Sequence, residues 1–151
     1  MDVGVTAAQS SAARRAAVFQ RIRDAHQTEV AEDYVELIDD LIAETGEARL
    51  VDLAENMGVT HATVAKIVQR LQREDLVQSR PYRSIFLTEK GRVMAAMARR
   101  RHRIVLALLR AIGVTEATAE ADSEGIEHHV SEETLAAFER ITEKLEAERR
   151  D

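Results

Sequence analysis

Apolar positions recur at helical spacing along most of this chain. Val30, Tyr34, Leu37, Ile38 and Leu41 step three and four residues apart, which predicts a helix over about 28–45, stopped by Gly46. A short helix follows with Val51, Leu53, Ala54 and Met57 inward, ending at Gly58. Thr60 then caps a third helix whose inner stripe is Val64, Ile67, Val68 and Leu71. The period changes at Leu76-Val77 and Ile85-Phe86-Leu87, two predicted strands around a basic turn at Arg80-Pro81-Tyr82-Arg83. Thr88 opens a long helix to about Ile112, ended by Gly113, and Thr115 opens another through His128 or His129. Ser131 caps the last helix, where Glu132 and Glu133 suit the positive end and Leu135, Phe138, Ile141 and Leu145 form the apolar stripe. Residues 1–25 are rich in Ala, Ser and Arg and read as a mobile end turning helical near Ala12. Their early arginines are shared with transit peptides, but a helical arm is the preferred reading.

The expected fold is therefore mainly α. An arm over 1–25 precedes a winged helix-turn-helix over 26–95 with a two-stranded wing, and an all-helical part covers 96–151. Apolar residues at 45% allow a real core, while aromatics at 3% argue against a stacking platform for single-stranded nucleic acid. The chain has no cysteine, which excludes disulfides, thiolate nucleophiles and cysteine-based metal sites. With no long apolar run and no secretory signal, a cytoplasmic protein without membrane contact is expected.

Net charge is −6, yet the charges are segregated. Between Asp24 and Met57 there are eleven acidic residues and one basic, and between Gly58 and Arg103 eleven basic and three acidic. From Ile104 onward there are twelve acidic and five basic. The basic block coincides with the predicted helix-turn-helix and wing, which is what a local phosphate-binding face requires. On the outer face of the third helix, His61, Ala62, Thr63, Lys66, Gln69 and Arg70 are candidates for the major groove, and Arg80 and Arg83 on the wing for backbone or minor groove. The alternative is that Lys66, Gln69 and Arg70 form only a solvated face.

The acidic blocks carry a second chemistry. Glu124, Glu127 and His128 stand at i, i+3 and i+4 and share a helix face, with His129 about 100° away. Upstream, Asp33 and Glu36 share a face of the opening helix, and His102 lies on the inner side of its own helix. Each group alone can be a solvated or structural residue. Together they form an oxygen-and-imidazole donor set suited to Mn2+, Fe2+ or Zn2+. Four carboxylates brought together without a cation repel one another, so a cation would act as a switch between arrangements.

The stretches "EDYVELIDDLIAETGEARLVDLAENMGVTHATVAKIVQRL", "YRSIFLTEKG", "RRHRIV" and "DSEGIEHHVSEETL" resemble the diphtheria toxin repressor superfamily in its manganese-responsive branch, in order and spacing, over about residues 26 to 141. The resemblance implies a homodimeric, metal-activated transcriptional repressor that is not an enzyme and binds a palindromic operator in double-stranded DNA. It implies two neighbouring Mn2+ ions, with Fe2+, Co2+, Zn2+ or Cd2+ as substitutes. Asp33, Glu124, Glu127 and His128 would hold one ion, and Glu36, His102 and a bridging Glu124 the other. The third, SH3-like domain of the iron-responsive relatives is not expected, and residues 1–25 extend beyond compact members. Three alternatives compete. An Fe2+-responsive regulator of the same superfamily would place methionine and cysteine at the positions of Asp33 and Glu127, where the carboxylates of this chain favour Mn2+. A winged-helix repressor of an organic ligand needs a sizeable apolar pocket. A di-metal carboxylate enzyme usually needs two Glu-x-x-His motifs, and none is present.

Overall fold

The computed structural model describes the backbone of residues 3–80 and 83–150, with side chains from residue 11 onward. Pro81 and Tyr82, expected at the tip of the wing, lie outside the described residues, as do the side chains of the first ten residues of the arm. The elements are α1 (Val3–Thr45), α2 (Leu50–Met57), α3 (His61–Arg73), β1 (Val77–Gln78), β2 (Phe86–Leu87), α4 (Glu89–Ala111), α5 (Glu116–Ile126), a 3₁₀ turn (Glu127–His129) and α6 (Glu132–Glu148). The fold is a winged helix-turn-helix followed by a helical half.

The arm and the opening helix form one continuous helix instead of two. No Gly or Pro interrupts residues 5–45, and Thr28 does not cap a new helix. Its hydroxyl donates back to the carbonyls of Ala25 at 3.0 Å and Asp24 at 3.3 Å, a bond made within an unbroken helix. Gly46 ends it at φ 85°, in the left-handed region. Asp52 accepts from the Arg49 N–H at 3.2 Å and so closes the start of α2. Gly58, at φ 65°, makes the tight turn into α3, and Thr60 accepts the Thr63 N–H at 3.2 Å.

One hydrophobic core unites the winged half. It is built from Ala31, Tyr34, Val35 and Ile38 of α1, Leu53 of α2, Val64, Val68 and Leu71 of α3, and Leu76, Val77, Ile85 and Leu87 around the wing. A smaller cluster of Ile104, Val105 and Leu135 joins α4 to α6. Full burial of each large aliphatic side chain contributes about 1.5–3 kcal/mol. Three positions expected inside are exposed: Val30, Val51 and Ile141. On α1 the buried stripe runs through Ala31 and Val35, so Val30 falls off its edge.

The wing is also shifted by one residue. β1 and β2 pair antiparallel as Val77↔Leu87 and Gln78↔Phe86. Leu76 and Ile85 lie outside this ladder, and Ile85 instead donates its N–H to the Ala48 carbonyl at 2.8 Å. The loop after α1 thus supplies a third edge, which a search for hydrophobic alternation cannot detect in a single residue. The fifth helix ends at Ile126, two or three residues early, and tightens into the 3₁₀ turn that carries both histidines.

Gly91 marks the tightest packing. A Cβ there would lie 2.1 Å from the Leu76 carbonyl oxygen, which is backbone and already accepts from Thr88. Gly91→Ala is expected to lower stability by at least about 2 kcal/mol, seen as a shifted denaturant midpoint. An unchanged midpoint would show that α4 can slide off the wing without loss.

Candidate metal centre and nucleic-acid face

The helical half closes onto α1 through ion pairs and acids. Arg99 of α4 bonds both Asp39 and Asp40 of α1. One to two turns N-terminal along α1, the side chains of Asp33 and Glu36 face the end of α5. There the 3₁₀ turn points Glu127 and His128 inward, and both are buried.

These groups converge. His102 Nδ1 lies 2.7 Å from Glu127 Oε2 and 3.5 Å from Glu124 Oε1. Suitable donor atoms of His102, Glu124 and Glu127 all lie within 4.8 Å of one another. His128 Nε2 lies 3.1 Å from Asp33 Oδ1 and 3.7 Å from Glu127 Oε1. Glu36 completes the group: burial raises its pKa, Arg99 opposes the shift, and His102 and Glu124 are near enough to act on it. Asp33, His102, Glu124, Glu127 and His128 are therefore linked by contacts of 3.7 Å or less, and Glu36 lies near enough to His102 and Glu124 to feel their charge. Glu127, with a side chain 3% exposed, stands between the two histidines, whereas Glu124 is 67% exposed at the rim.

Glu32 was not anticipated. Its Oε2 lies 2.7 Å from His128 Nδ1 and leaves Nε2 turned toward Asp33 and Glu127. A carboxylate on one ring nitrogen fixes the tautomer and orientation that the other needs to ligate a metal. A sequence signal existed, since Glu29, Glu32, Asp33, Glu36 and Asp40 form an acidic stripe at helical spacing. Nothing in that stripe distinguishes Glu32 from its neighbours until the partner is known.

The electrostatics fit a divalent cation. Burial pushes the Glu127 carboxyl up to about 7, with hydrogen bonding to His102 only partly opposing it. A buried carboxylate held so high is only partly compensated by its two histidine neighbours. Burial alone would lower the His128 pKa, but the hydrogen bonds its ring donates to Asp33 and Glu32 outweigh it and raise it to about 10. A cation would replace the shared proton on the Nε2 side and neutralise Asp33 and Glu127 together. Oxygen and imidazole donors without sulfur suit Mn2+, Fe2+, Co2+ or Zn2+.

The basic face lies at the other end of the winged half. His61, Ala62, Thr63, Lys66 and Gln69 are exposed on α3, opposite its buried stripe, and Arg80 and Arg83 are exposed on the wing. Arg70 differs: its guanidinium donates to Glu74 at 2.7 Å and to the Gln27 carbonyl of α1 at 2.7 Å. It ties α3 back to α1. Between α3 and the wing runs a groove of about 1160 Å³ lined by residues that include Arg49, His61, Gln69, Arg80 and Arg83, with no acidic residue in its lining. Arg49 was missed because it is isolated within the acidic block of the sequence.

A winged helix-turn-helix joined to an acid-and-imidazole centre is the architecture of metal-dependent DNA-binding regulators. Two family models match, one described as iron dependent repressor, N-terminal DNA binding domain, over residues 26–85. The other, iron dependent repressor, metal binding and dimerisation domain, matches residues 88–150. The transcriptional regulator MntR of Escherichia coli O6:H1 is 50% identical over 126 residues, 83% of this chain and 81% of that protein. The HTH-type transcriptional regulator MntR of Geobacillus kaustophilus is 43% identical over 100 residues, 66% of this chain and 71% of that one. The chain belongs to the MntR family of transcriptional regulators within the iron dependent repressors, a class of regulators and not of enzymes. Among solved structures it is similar to the manganese regulator SloR, with TM-score 0.65, 28% identity, and coverage of 74% of this chain and 52% of that one. It also resembles a manganese-dependent transcriptional repressor in complex with manganese, with TM-score 0.67, 26% identity, and coverage of 74% and 52%. The chain thus spans about half the length of these two structures. No helix among the described residues is long and apolar enough to cross a membrane.

The two shifted groups act on stability in the same direction. Because the His128 pKa is raised, its contribution is complete below about pH 6.5 and is lost as pH rises through about 10. Because the Glu127 pKa is raised, the cost of ionising it in place develops as pH rises from the ordinary carboxylate range through about 7. The Tm of chelator-treated protein is expected to fall from about pH 5 to about pH 9, and Glu32→Gln to flatten the fall above neutrality. A Tm that rises across this range would contradict the assignment.

Proposed function

We propose that this chain is a Mn2+-responsive DNA-binding repressor of manganese uptake genes, acting as a homodimer on a palindromic operator. One observation carries the reading: Glu32 and Asp33 of α1, the helix that builds the winged-helix core, meet His128 of the helical half, beside the His102, Glu124 and Glu127 cluster. The manganese-dependent relatives of similar fold support the choice of ion. Asp33, Glu124, Glu127 and His128 would hold one ion. Glu36, His102 and Glu124 would hold a second, with Fe2+, Co2+, Zn2+ or Cd2+ as substitutes. The bound ions supply positive charge that neutralises the clustered carboxylates.

The residues then act as follows. Asp33 and Glu36 stop repelling Glu124 and Glu127, and α1 is held against the end of α5. Glu32 keeps the His128 ring turned so that Nε2 faces the centre. Arg70, bonded to the Gln27 carbonyl, carries the position of α1 to α3. In a dimer, two α3 helices held at fixed separation match half-sites one or more helical turns apart, about 34 Å per turn. Ile112 and Ile141 stand exposed on the helical half, apolar surface of the kind that a second copy covers. His61, Ala62, Thr63, Lys66 and Gln69 would meet the major groove, and Arg49, Arg80 and Arg83 the flanking phosphates.

Operator binding, followed by fluorescence anisotropy in parallel without metal and with Mn2+, Fe2+, Co2+ or Zn2+, tests this reading. Mn2+ is expected to strengthen binding by roughly 5–150-fold, the usual range for coupled sites. Glu124→Ala is expected to remove that gain, and a variant that still responds fully would sink the switch. Arg83→Ala is expected to weaken specific and non-specific DNA alike and reduce the salt slope by about one. An unchanged slope would take Arg83 off the phosphate backbone.

A further inference from the structure

A second cluster of metal-ligating side chains lies on the other side of the 3₁₀ turn. His26 and Glu29 stand at i, i+3 on α1, and His129 is the last residue of the turn. His26 Nδ1 lies 3.1 Å from Glu29 Oε2, and His129 Nε2 lies 3.6 Å from that same oxygen. The two imidazole rings stand edge to face with centroids 4.8 Å apart at 70°. Suitable donor atoms of all three lie within 4.8 Å of one another. None of the three belongs to the six residues of the centre described above.

We propose that His26, Glu29 and His129 form a further divalent-cation site, selective for borderline ions of the Zn2+, Co2+ or Ni2+ class over Mn2+. The chemistry follows from the donors. Two imidazoles and one carboxylate bind borderline cations more strongly than a carboxylate-rich set does, and hard ions gain least from nitrogen. The geometry is close to that of a site: two ring nitrogens already converge on one carboxylate oxygen. All three side chains reach solvent, with His26 63% exposed, so water can complete the coordination. Glu32 and Asp33, within the next turn of α1, keep the local field negative.

The position gives the site a consequence. A cavity of about 250 Å³ separates this stretch of α1 from the turn, lined by Val18, Arg21, Ile22, Ala25, His128, His129 and Val130. An ion between His26 and His129 would cross-link α1 to the turn beside this cavity. Because His129 adjoins His128, the same ion braces the turn that carries the first centre.

The test uses the full chain, saturated with Mn2+ and then titrated with Co2+. Co2+ content by equilibrium dialysis and d–d absorption are read for wild type, His26→Ala and Glu29→Ala. One Co2+ per chain is expected in the wild type that is lost, or at least tenfold weaker, in both variants. Mn2+-dependent operator binding by the variants is expected to stay within twofold. Equal Co2+ uptake by wild type and both variants would overturn the proposal, as would a wild type that takes up Co2+ only by releasing Mn2+. The manganese reading fails separately, through loss of the Mn2+ effect on operator binding in the wild type.

Discussion

The carboxylate of Glu127 is the constraint on which the chain turns. It is held out of water between His102 of α4 and His128 of its own turn, and it cannot ionise there without a positive neighbour. Two solutions exist: a proton or a cation. The proton neutralises Glu127 alone and leaves Asp33 to His128, Glu36 to Arg99 and Glu124 to solvent. A cation would satisfy several of them at once and tie α1 and α4, already packed together by the core, to the end of α5. A binding site of this kind is also a conformational constraint, because its ligands come from both halves of the molecule.

α1 transmits that constraint. Its apolar stripe supplies the winged-helix core through Ala31, Val35 and Ile38, and its acidic stripe faces the metal centre. Asp39 and Asp40 hold Arg99 of α4, while the Gln27 carbonyl holds Arg70 of α3. No Gly or Pro breaks α1 over residues 5–45, so the two stripes belong to one continuous element. The charges are arranged to match. The acids gather at the proposed cation centre, and Arg49, Arg80 and Arg83 line the groove between α3 and the wing, the proposed phosphate face.

Glu32 and Arg70 show how context changes a residue's role. Glu32 reads as one acid in a run, yet it orients a histidine 96 residues away. Arg70 reads as part of an exposed reading face, yet its guanidinium is spent on Glu74 and on the backbone of α1. Both departures involve α1, whose backbone at Gln27 and acidic stripe at Glu32 meet partners that local spacing does not reveal.

The local elements were legible in the sequence because their causes are local. Thr60, Thr88 and Ser131 cap the helices they precede, Gly46, Gly58 and Gly113 adopt positive φ, and the stripe of Val64, Val68 and Leu71 is buried. The donor types were legible too, since three ligand candidates sit within one helical turn and Asp33 and Glu36 within another. Tertiary structure alone decided that these groups converge and that Glu127, not Glu124, lies deepest. It also decided that the 3₁₀ turn sends His128 and His129 to two different clusters, and that Ala48 pairs with Ile85. Periodicity and capping act over one or two turns of chain, whereas these outcomes depend on how α1, α4 and α5 pack, which is set by the burial of side chains far apart in sequence.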